Sequence, residues 1–369
     1  MPTELLAEDL LDLARGAAFL GTGGGGDPYI GRLMAEAAIA EHGPITLFDL
    51  DELKDDDFVI PTAMMGAPTV MIEKIPRGDE AVQSLRALER HLGRRADATM
   101  PIECGGINST MPLVVGALLG LPVVDADGMG RAFPELQMET FHVYGVAGTP
   151  MAITNEHGDT AIVTTHDNHT MEWLARGITI RMGGASLIAE YAMDGATAKR
   201  VSIPGTISLG VRIGRCLREA RARHADPFEA LIALLRETHY AYGRVIFLGK
   251  VTDVFRRTTE GFAKGTARIE SADGEVLELT FQNEHLVARV DGEVRAIVPD
   301  LICVLEAETA EPITTEAIRY GQRVQVMAVS TPPIMRTPDA LAVFGPAAFG
   351  LEEEFRPIEE LAREEVAAP

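Results

Sequence analysis

Apolar positions follow two patterns along the chain, and the pattern changes near Arg244. Before that point, segments with apolar residues at helical spacing alternate with short continuous apolar runs, which are typical of buried strands. The helical spacing predicts helices over Thr3–Leu20, Asp27–Glu41, Asp79–Leu92, Met111–Leu119, Met171–Arg181, Ile207–Arg223 and Pro227–His239. The apolar runs predict strands at Phe58–Ile60, Thr69–Ile72, Ala98–Ile102, Val123–Val124 and Ala161–Thr164. This alternation indicates an α/β fold with a mostly parallel sheet flanked by helices.

After Arg244 the chain becomes rich in short β-type runs separated by Gly, Asp-Gly and Pro. Asp273-Gly274 and Asp291-Gly292 are typical of tight hairpins, so we expect a second, β-rich domain. The runs are Val245–Val251, Ala267–Ile269, Val276–Phe281, Leu286–Val290, Arg295–Val298, Leu301–Leu305 and Val324–Val329.

The two patterns divide the chain into four parts. Residues 1–165 form an α/β domain that holds the glycine-rich loop and the acidic motifs, and residues 166–243 are a helical segment that completes it. Residues 244–348 form the β-rich domain, and residues 349–369 are an acidic tail, solvated or folded as a short surface helix.

Composition narrows the range of partners. The 369 residues include 33 Lys and Arg against 55 Asp and Glu, a formal net charge of −22 that argues against nucleic acid or an anionic membrane. No apolar run reaches the ~18 residues of a membrane span, and the acidic start lacks the features of a signal peptide. The three cysteines are far apart and predict no disulfide framework. We therefore expect a cytoplasmic homo-oligomer that acts on a small molecule.

Glycine, with 36 residues, exceeds its usual share of ~7%. Four consecutive glycines precede Asp27-Pro28, where a helix N-terminus would attract anions. No GxxxxGK[ST] is present, and a GxGxxG forced onto this loop would follow a helix instead of a strand. The loop is thus a binding site for a carboxylate or carbonyl, a structural turn or a nucleotide site. The candidate binding residues are Gly23, Gly24, Gly25 and Gly26.

Two further motifs follow predicted strands, at the edge where parallel sheets bind ligands. In the first, Glu103 is a candidate base or orienting carboxylate, and Cys104 is expected to be an inert, partly buried thiol. The rest of that motif supplies candidates for substrate binding or helix capping: Gly105, Gly106, Asn108 and Ser109.

The second motif pairs two carboxylates with an arginine. Asp125 and Asp127 lie two residues apart, so an extended backbone places them on one face, where one can raise the pKa of the other. Arg131 is a candidate clamp for a substrate carboxylate. A structural Asp–Arg network is the alternative. Outside these motifs, Glu73 is a candidate for the same cleft, and His157, His166 and His169 are weak candidates for a metal.

Taken together, these segments resemble a bacterial family first known as hydantoinase/oxoprolinase-associated proteins and represented by S-methyl thiohydantoin desulfurase. The resemblance covers nearly the whole chain in one order. In the first half it rests on Gly21–Met34, Met65–Gly78, Ile102–Ser109 and Leu121–Met138. In the second half it rests on Gly249–Gly265, Gln282–Leu286, Pro299–Glu306 and Arg319–Val324.

The resemblance implies an α/β part that carries the acidic motifs, a β-rich part that closes over it, and chemistry on a five-membered cyclic amide or thioamide. The chemistry of the side chains suggests the roles. Asp127 or Asp125 is the expected base, and Arg131 and Asn108 polarise the ring. Glu103 orients water or a ring N–H, and the glycine loop binds a carbonyl. Three alternatives stay open: an ATP-dependent cyclic amidase, a metal-dependent one, and a non-catalytic subunit of such a complex. No cofactor follows from the residues, and a divalent metal is the second possibility.

Overall fold

The structure, a computed structural model, describes residues 3–66, 70, 77–259 and 262–367. The strands are β1 (Thr3–Leu5), β2 (Ile45–Phe48), β3 (Phe58–Gly66), β4 (Ala98–Met100), β5 (Val123–Val124), β6 (Ala126–Asp127), β7 (Met151–Thr154), β8 (Thr160–Val163), β9 (Ala185–Ala189), β10 (Met193–Asp194), β11 (Ile203–Pro204), β12 (Gly243–Thr259), β13 (Phe262–Glu270), β14 (Val276–Gln282), β15 (Glu284–Val290), β16 (Glu293–Ile297), β17 (Leu301–Glu306) and β18 (Arg323–Val329).

Helices occupy most of the remaining chain before Gly243 and return near its end. They are α1 (Leu10–Leu20), α2 (Tyr29–His42), α3 (Glu80–Leu92), α4 (Met111–Leu119), α5 (Thr140–Val143), α6 (Asn168–Arg181), α7 (Gly195–Val201), α8 (Thr206–Ala222), α9 (Pro227–Leu235), α10 (Pro338–Phe344) and α11 (Ile358–Ala367). Throughout the described ranges, each helix is too short or too polar to span a bilayer.

The first sheet has the strand order β1-β2-β5-β4-β3-β9-β7-β8, with β10 beside β3. Its middle strands β2, β5, β4 and β3 are parallel, and the outer pairings are antiparallel. Successive residues of β3, Val59 and Ile60, belong to separate apolar clusters, because neighbouring side chains in a strand point to opposite faces. Helices cover both faces, and the predicted fold class is confirmed.

Most predicted helices and strands lie within a few residues of those in the structure, but β12 extends to Thr259 and β13 begins at Phe262, so both are much longer than predicted. The clearest error is at the start of the chain. Thr3 caps no helix, because Thr3–Leu5 pairs as a strand with Ile45–Phe48 and the helix begins only at Leu10. Further strands of the first sheet were not predicted, among them β2, whose burial alternates as in a one-sided strand, and the fully buried β7 and β9. Of the predicted strand at Thr69–Ile72 only Val70 is among the described residues, and it is helical instead of extended.

The second sheet is antiparallel, in the order β16-β15-β14-β13-β12-β18-β17, and it begins where the sequence pattern changes. The connection at Asp291-Gly292 has positive φ at both residues, 49° and 90°, as a tight hairpin requires. The acidic tail forms α11, which is docked on its apolar side, since Ile358 and Leu361 are buried. The division into four parts stays a prediction.

Arg131 joins the two sheets. Its guanidinium is completely buried, and all five N–H groups donate to protein oxygens. The acceptors come from both parts of the chain: the hydroxyl of Thr22 and the carbonyls of Ala132, His285, Pro299 and Asp300. Burial lowers the pKa of this side chain to about 10, and the charge persists at neutral pH.

Two glycine turns of the α/β part contact each other through their backbones close to Arg131. The amide of Ile107 donates to the carbonyl of Gly25 over 2.9 Å. A Cβ on Gly106 would lie 2.0 Å from that same oxygen, and Gly106 also has φ +64°. Glycine is therefore needed there for the close approach as well as for the backbone conformation.

Replacing Gly106 by Ala is expected to destabilise the fold more than replacing Gly120. Gly120 is the matched control, since its φ is +63° and nothing lies within 4 Å of an added Cβ. Both variants carry the cost of positive φ, about 1–2 kcal/mol, and overpacking adds a further ~1–3 kcal/mol only in Gly106→Ala. Urea unfolding measures both, and equal losses would contradict the packing explanation.

Candidate functional site

A small cavity of about 50 Å³ lies between the two sheets. The α/β part contributes Gly25, Glu103 and Asn108, and the β-rich part contributes Asn283 and Glu284. Apolar side chains form the walls: Met64, Met65, Ile102, Met129, Phe133 and Leu136. The cavity therefore brings together one residue of the glycine loop and two residues of the Glu103–Ser109 motif with carboxyl and amide groups from the second half of the chain.

Glu103 follows β4 and is buried. Asn108 donates its amide to Glu103 Oε1 over 2.8 Å, whereas Oε2 finds no hydrogen-bond partner among the described residues. Burial raises the pKa of Glu103 well above its usual value, and the nearby Glu284 carboxyl raises it further. Both effects favour the protonated form of the Glu103 carboxyl.

Glu284 begins β15 and faces the same cavity. The backbone N–H of Gly25 donates to Glu284 Oε1 over 3.3 Å, and within the described part of the chain Oε2 has no partner. Burial raises the pKa of Glu284 to about 8, although the positive charge of Arg131 opposes the shift. Because this pKa is close to neutral, the group exchanges protons readily under physiological conditions.

Asn108 fixes the geometry of Glu103. Its amide group also binds the backbone of β3, accepting from the N–H of Met64 over 2.7 Å and donating to the Met64 carbonyl over 3.1 Å. The neighbouring Ser109 instead donates to the Gly106 carbonyl and does not line the cavity. Asn108 is thus a positioning residue, and Ser109 stabilises the turn.

Asp127, an expected base, is placed differently from the prediction. Oδ2 accepts from the N–H of Cys104 over 2.6 Å, and Oδ1 accepts from the N–H of Gly130 over 3.0 Å. Burial raises the pKa of Asp127 to about 7, and these two bonds oppose the shift. Asp127 does not line the cavity, and its occupied oxygens indicate that it holds the turn that carries Glu103.

Asp125, the other expected base, belongs to a different face of the protein. Oδ1 accepts from the N–H groups of Ile207 and Ser208, so the carboxylate caps the N-terminus of α8. It borders a separate cleft of about 1000 Å³. The pair expected to share one face therefore binds two different backbone segments.

Arg131 is not positioned as a substrate clamp, because all its donors already bind the protein. The glycine loop also differs from expectation, since among its four candidate glycines only Gly25 lines the cavity. The Gly23 carbonyl accepts from Thr315, and a Cβ on Gly24 would collide with Glu284. Close packing accounts for these residues, and for Gly105, whose Cβ would lie 2.9 Å from Ala132.

The metal candidates do not gather at one place. His157 and His166 are exposed and pair with Glu156 and Asp167, while the His169 ring contacts His142. Across the described ranges, no group of three His, Cys, Asp or Glu side chains is arranged to hold a metal ion. Glu73 lies outside the described residues.

Cys104 is buried, and burial raises the pKa of its thiol, which disfavours the reactive thiolate. Asn283 and Glu284 were not predicted from the sequence as site residues. The signal in the sequence was Glu284, a charged residue at the start of a mostly apolar strand. In the structure Asn283, directly before it, has φ +59°. Such a buried acid without an adjacent cation is uncommon in a strand.

Family models match nearly the whole chain. Residues 8–165 match the S-Me-THD-like N-terminal domain, and residues 166–358 match the S-Me-THD-like C-terminal domain. The chain belongs to the S-Me-THD-like family. Its fold is similar to the crystal structure of a protein from Chromobacterium violaceum, with 25% sequence identity and a TM-score of 0.83, covering 96% of this chain and 100% of that one. No curated protein matches it.

Replacing Glu284 by Gln is expected to weaken the dependence of stability on pH. The carboxyl titrates near 4.5 in the unfolded chain and at about 8 in the fold. Between these values the unfolded state releases a proton that the folded state keeps, so wild-type stability falls as pH rises. The loss of stability is measured from the midpoints of urea unfolding at pH values of about 5 and about 8.

Glu293→Gln is the control for this measurement, because the side chain of Glu293 is 76% exposed on the same sheet. It should retain the wild-type dependence. If Glu284→Gln and wild type lose the same stability over this interval, the raised pKa of Glu284 is wrong.

Proposed function

We propose that this member of the S-Me-THD-like family hydrolyses an S-methyl thiohydantoin to a hydantoin and methanethiol. One observation carries the proposal: two buried carboxyl groups, Glu103 and Glu284, face one small cavity, each with one oxygen held and the other without a partner in the described structure. Family membership supports the ring as substrate class.

The size of the cavity favours a small ring. Its volume of about 50 Å³ accommodates about four water-sized groups. That is less than the eight non-hydrogen atoms of an S-methyl thiohydantoin, so part of the ring must extend toward the opening of the cavity, and it is much too small for a nucleotide. The methionine and phenylalanine walls suit a flat, weakly polar molecule and exclude bulk water.

The reaction needs water to attack the ring carbon that carries sulfur. That carbon lies between two nitrogens and is electrophilic. Water adds to it, the resulting tetrahedral intermediate expels the methylthio group, and the oxygen stays as the new carbonyl. Both protons leave the water oxygen: one joins the ring nitrogen of the former C=N bond and the other joins the sulfur, so the products are a hydantoin and methanethiol. A base and an acid on the same small cavity meet both needs.

Glu284 is the base in this scheme. The Arg131 charge and the N–H of Gly25 both favour its ionised form, and its pKa of about 8 leaves a working fraction ionised at neutral pH. Its unpartnered Oε2 is the atom that takes a proton from water. Arg131 therefore acts on the chemistry through Glu284 and not through the substrate.

Glu103 is the acid. Asn108 occupies Oε1 as a donor, so the proton resides on Oε2, which is free to reach a ring nitrogen or the leaving sulfur. Burial favours the protonated form of this carboxyl. Two carboxyls of unequal environment thus take opposite roles, as in other acid–base pairs.

Glu103→Gln and Glu284→Gln are each expected to lower kcat by about 10²- to 10⁴-fold, because each removes one proton-transfer group without changing side-chain size. Methanethiol release from a 5-methyl S-methyl thiohydantoin, followed with a thiol reagent, measures the rates. Circular dichroism and urea unfolding confirm that the variants are folded.

Asp127→Asn separates this mechanism from the one predicted from the sequence. Its main expected effect is a loss of stability of about 1–3 kcal/mol, because the new amide faces two backbone donors. If folded Asp127→Asn loses turnover while both glutamine variants keep it, Asp127 is the base. Wild-type protein that releases methanethiol only with an added partner subunit would support the non-catalytic alternative.

A further inference from the structure

A second, much larger cleft adjoins the candidate site. Its volume is about 1000 Å³, and Glu135 and Arg176 line both this cleft and the small cavity. The two spaces therefore meet at these side chains. A molecule whose ring occupies the cavity has its substituent directed past Arg176 into the cleft.

The surface of this cleft is unusually apolar for an exposed region. Trp173 and Ile180 are 74% and 56% exposed, and both lie on one side of α6 because they are seven residues apart. Phe262, from the start of β13, lines the cleft as well. Large apolar side chains left in water at a cleft mark a binding surface.

Arg176 is already committed to the protein. Its Nε pairs with Glu172, its Nη2 donates to the Pro134 carbonyl over 2.9 Å, and its guanidinium lies 4.4 Å from the centre of the Phe262 ring. The carboxylate of Glu172 therefore compensates its charge. Arg176 borders the passage as a stacked, neutralised group and is a poor receptor for an anion.

The charged side chains that line the cleft also disfavour an anionic ligand. Three carboxylate side chains line the cleft against two guanidinium groups, and the whole chain carries −22. An anionic substituent would meet repulsion here, whereas an aromatic or aliphatic one would bury the exposed Trp173 and Ile180 and contact the lining face of Phe262. Stacking on Trp173 would add to this gain.

We propose that this cleft is the subsite for the ring substituent and that the substrate carries a large aromatic or branched aliphatic group on its ring carbon. The proposal rests on the proposed function for the ring itself. It assigns Trp173 and Phe262 as the residues that determine specificity. The continuity of the cleft with the cavity favours this occupant over a second copy of the chain.

The test uses the full-length protein and compares binding of 5-benzylhydantoin, 5-methylhydantoin and 5-carboxymethylhydantoin by calorimetry. The benzyl compound is expected to bind on the order of tenfold more tightly than the other two, because its ring buries apolar surface in the cleft. Trp173→Ala and Phe262→Ala should each remove most of this preference. Tyr320→Ala is the matched control, an aromatic residue that is also 74% exposed but lies outside the cleft.

Equal affinities for the three compounds in wild-type protein would overturn the subsite. So would a benzyl preference that survives in both cleft variants, or light scattering that shows Trp173→Ala dissociating an oligomer while ligand preference is unchanged. These outcomes are separate from failure of the proposed function, which is read from methanethiol release. A benzyl preference without any turnover would support the subsite and contradict the reaction.

Discussion

The buried guanidinium of Arg131 is the interaction on which the rest of the site depends. Each of its five N–H groups is matched to an oxygen, and those oxygens belong to the glycine loop, the turn after β6, and the β-rich part. A buried charge is tolerated only when its donors are satisfied. Folding must therefore bring the two parts into one register before Arg131 can be enclosed.

This fixed arrangement of the two parts places both carboxyl groups of the acid–base pair on one cavity. Glu103 is placed by Asn108 and the backbone of β3, whereas Glu284 enters from β15 on the other side of the cavity. Neither carboxyl has a cation in direct contact among its hydrogen-bond partners in the described structure. The Arg131 charge acts on Glu284 from a distance, so it favours ionisation of that group while leaving both unheld oxygens exposed to the cavity.

The helices and strands that were predicted correctly are those decided by local signals. An example is α4, whose apolar run ends at a glycine in the left-handed conformation. The roles of the carboxylates are not decided by such signals. Asp125 and Asp127 carry the right chemistry, yet both oxygens of Asp127 and one of Asp125 are occupied by backbone N–H groups. Spacing cannot tell a carboxylate that meets an amide from one that meets a ligand, since the partner comes from distant chain.

Burial of carboxyl groups also changes how the net charge of the chain is to be understood. The formal charge of −22 counts every carboxyl as ionised, but burial raises the pKa of Glu139 and Glu190 well above its usual value, as it does for Glu103. These shifts favour the protonated, uncharged form of each group, which makes the folded protein less negative than the formal charge of its sequence. The same burial raises the pKa of Glu284, so a ligand that depends on the ionised form of Glu284 must offset the free energy of that ionisation through its own contacts.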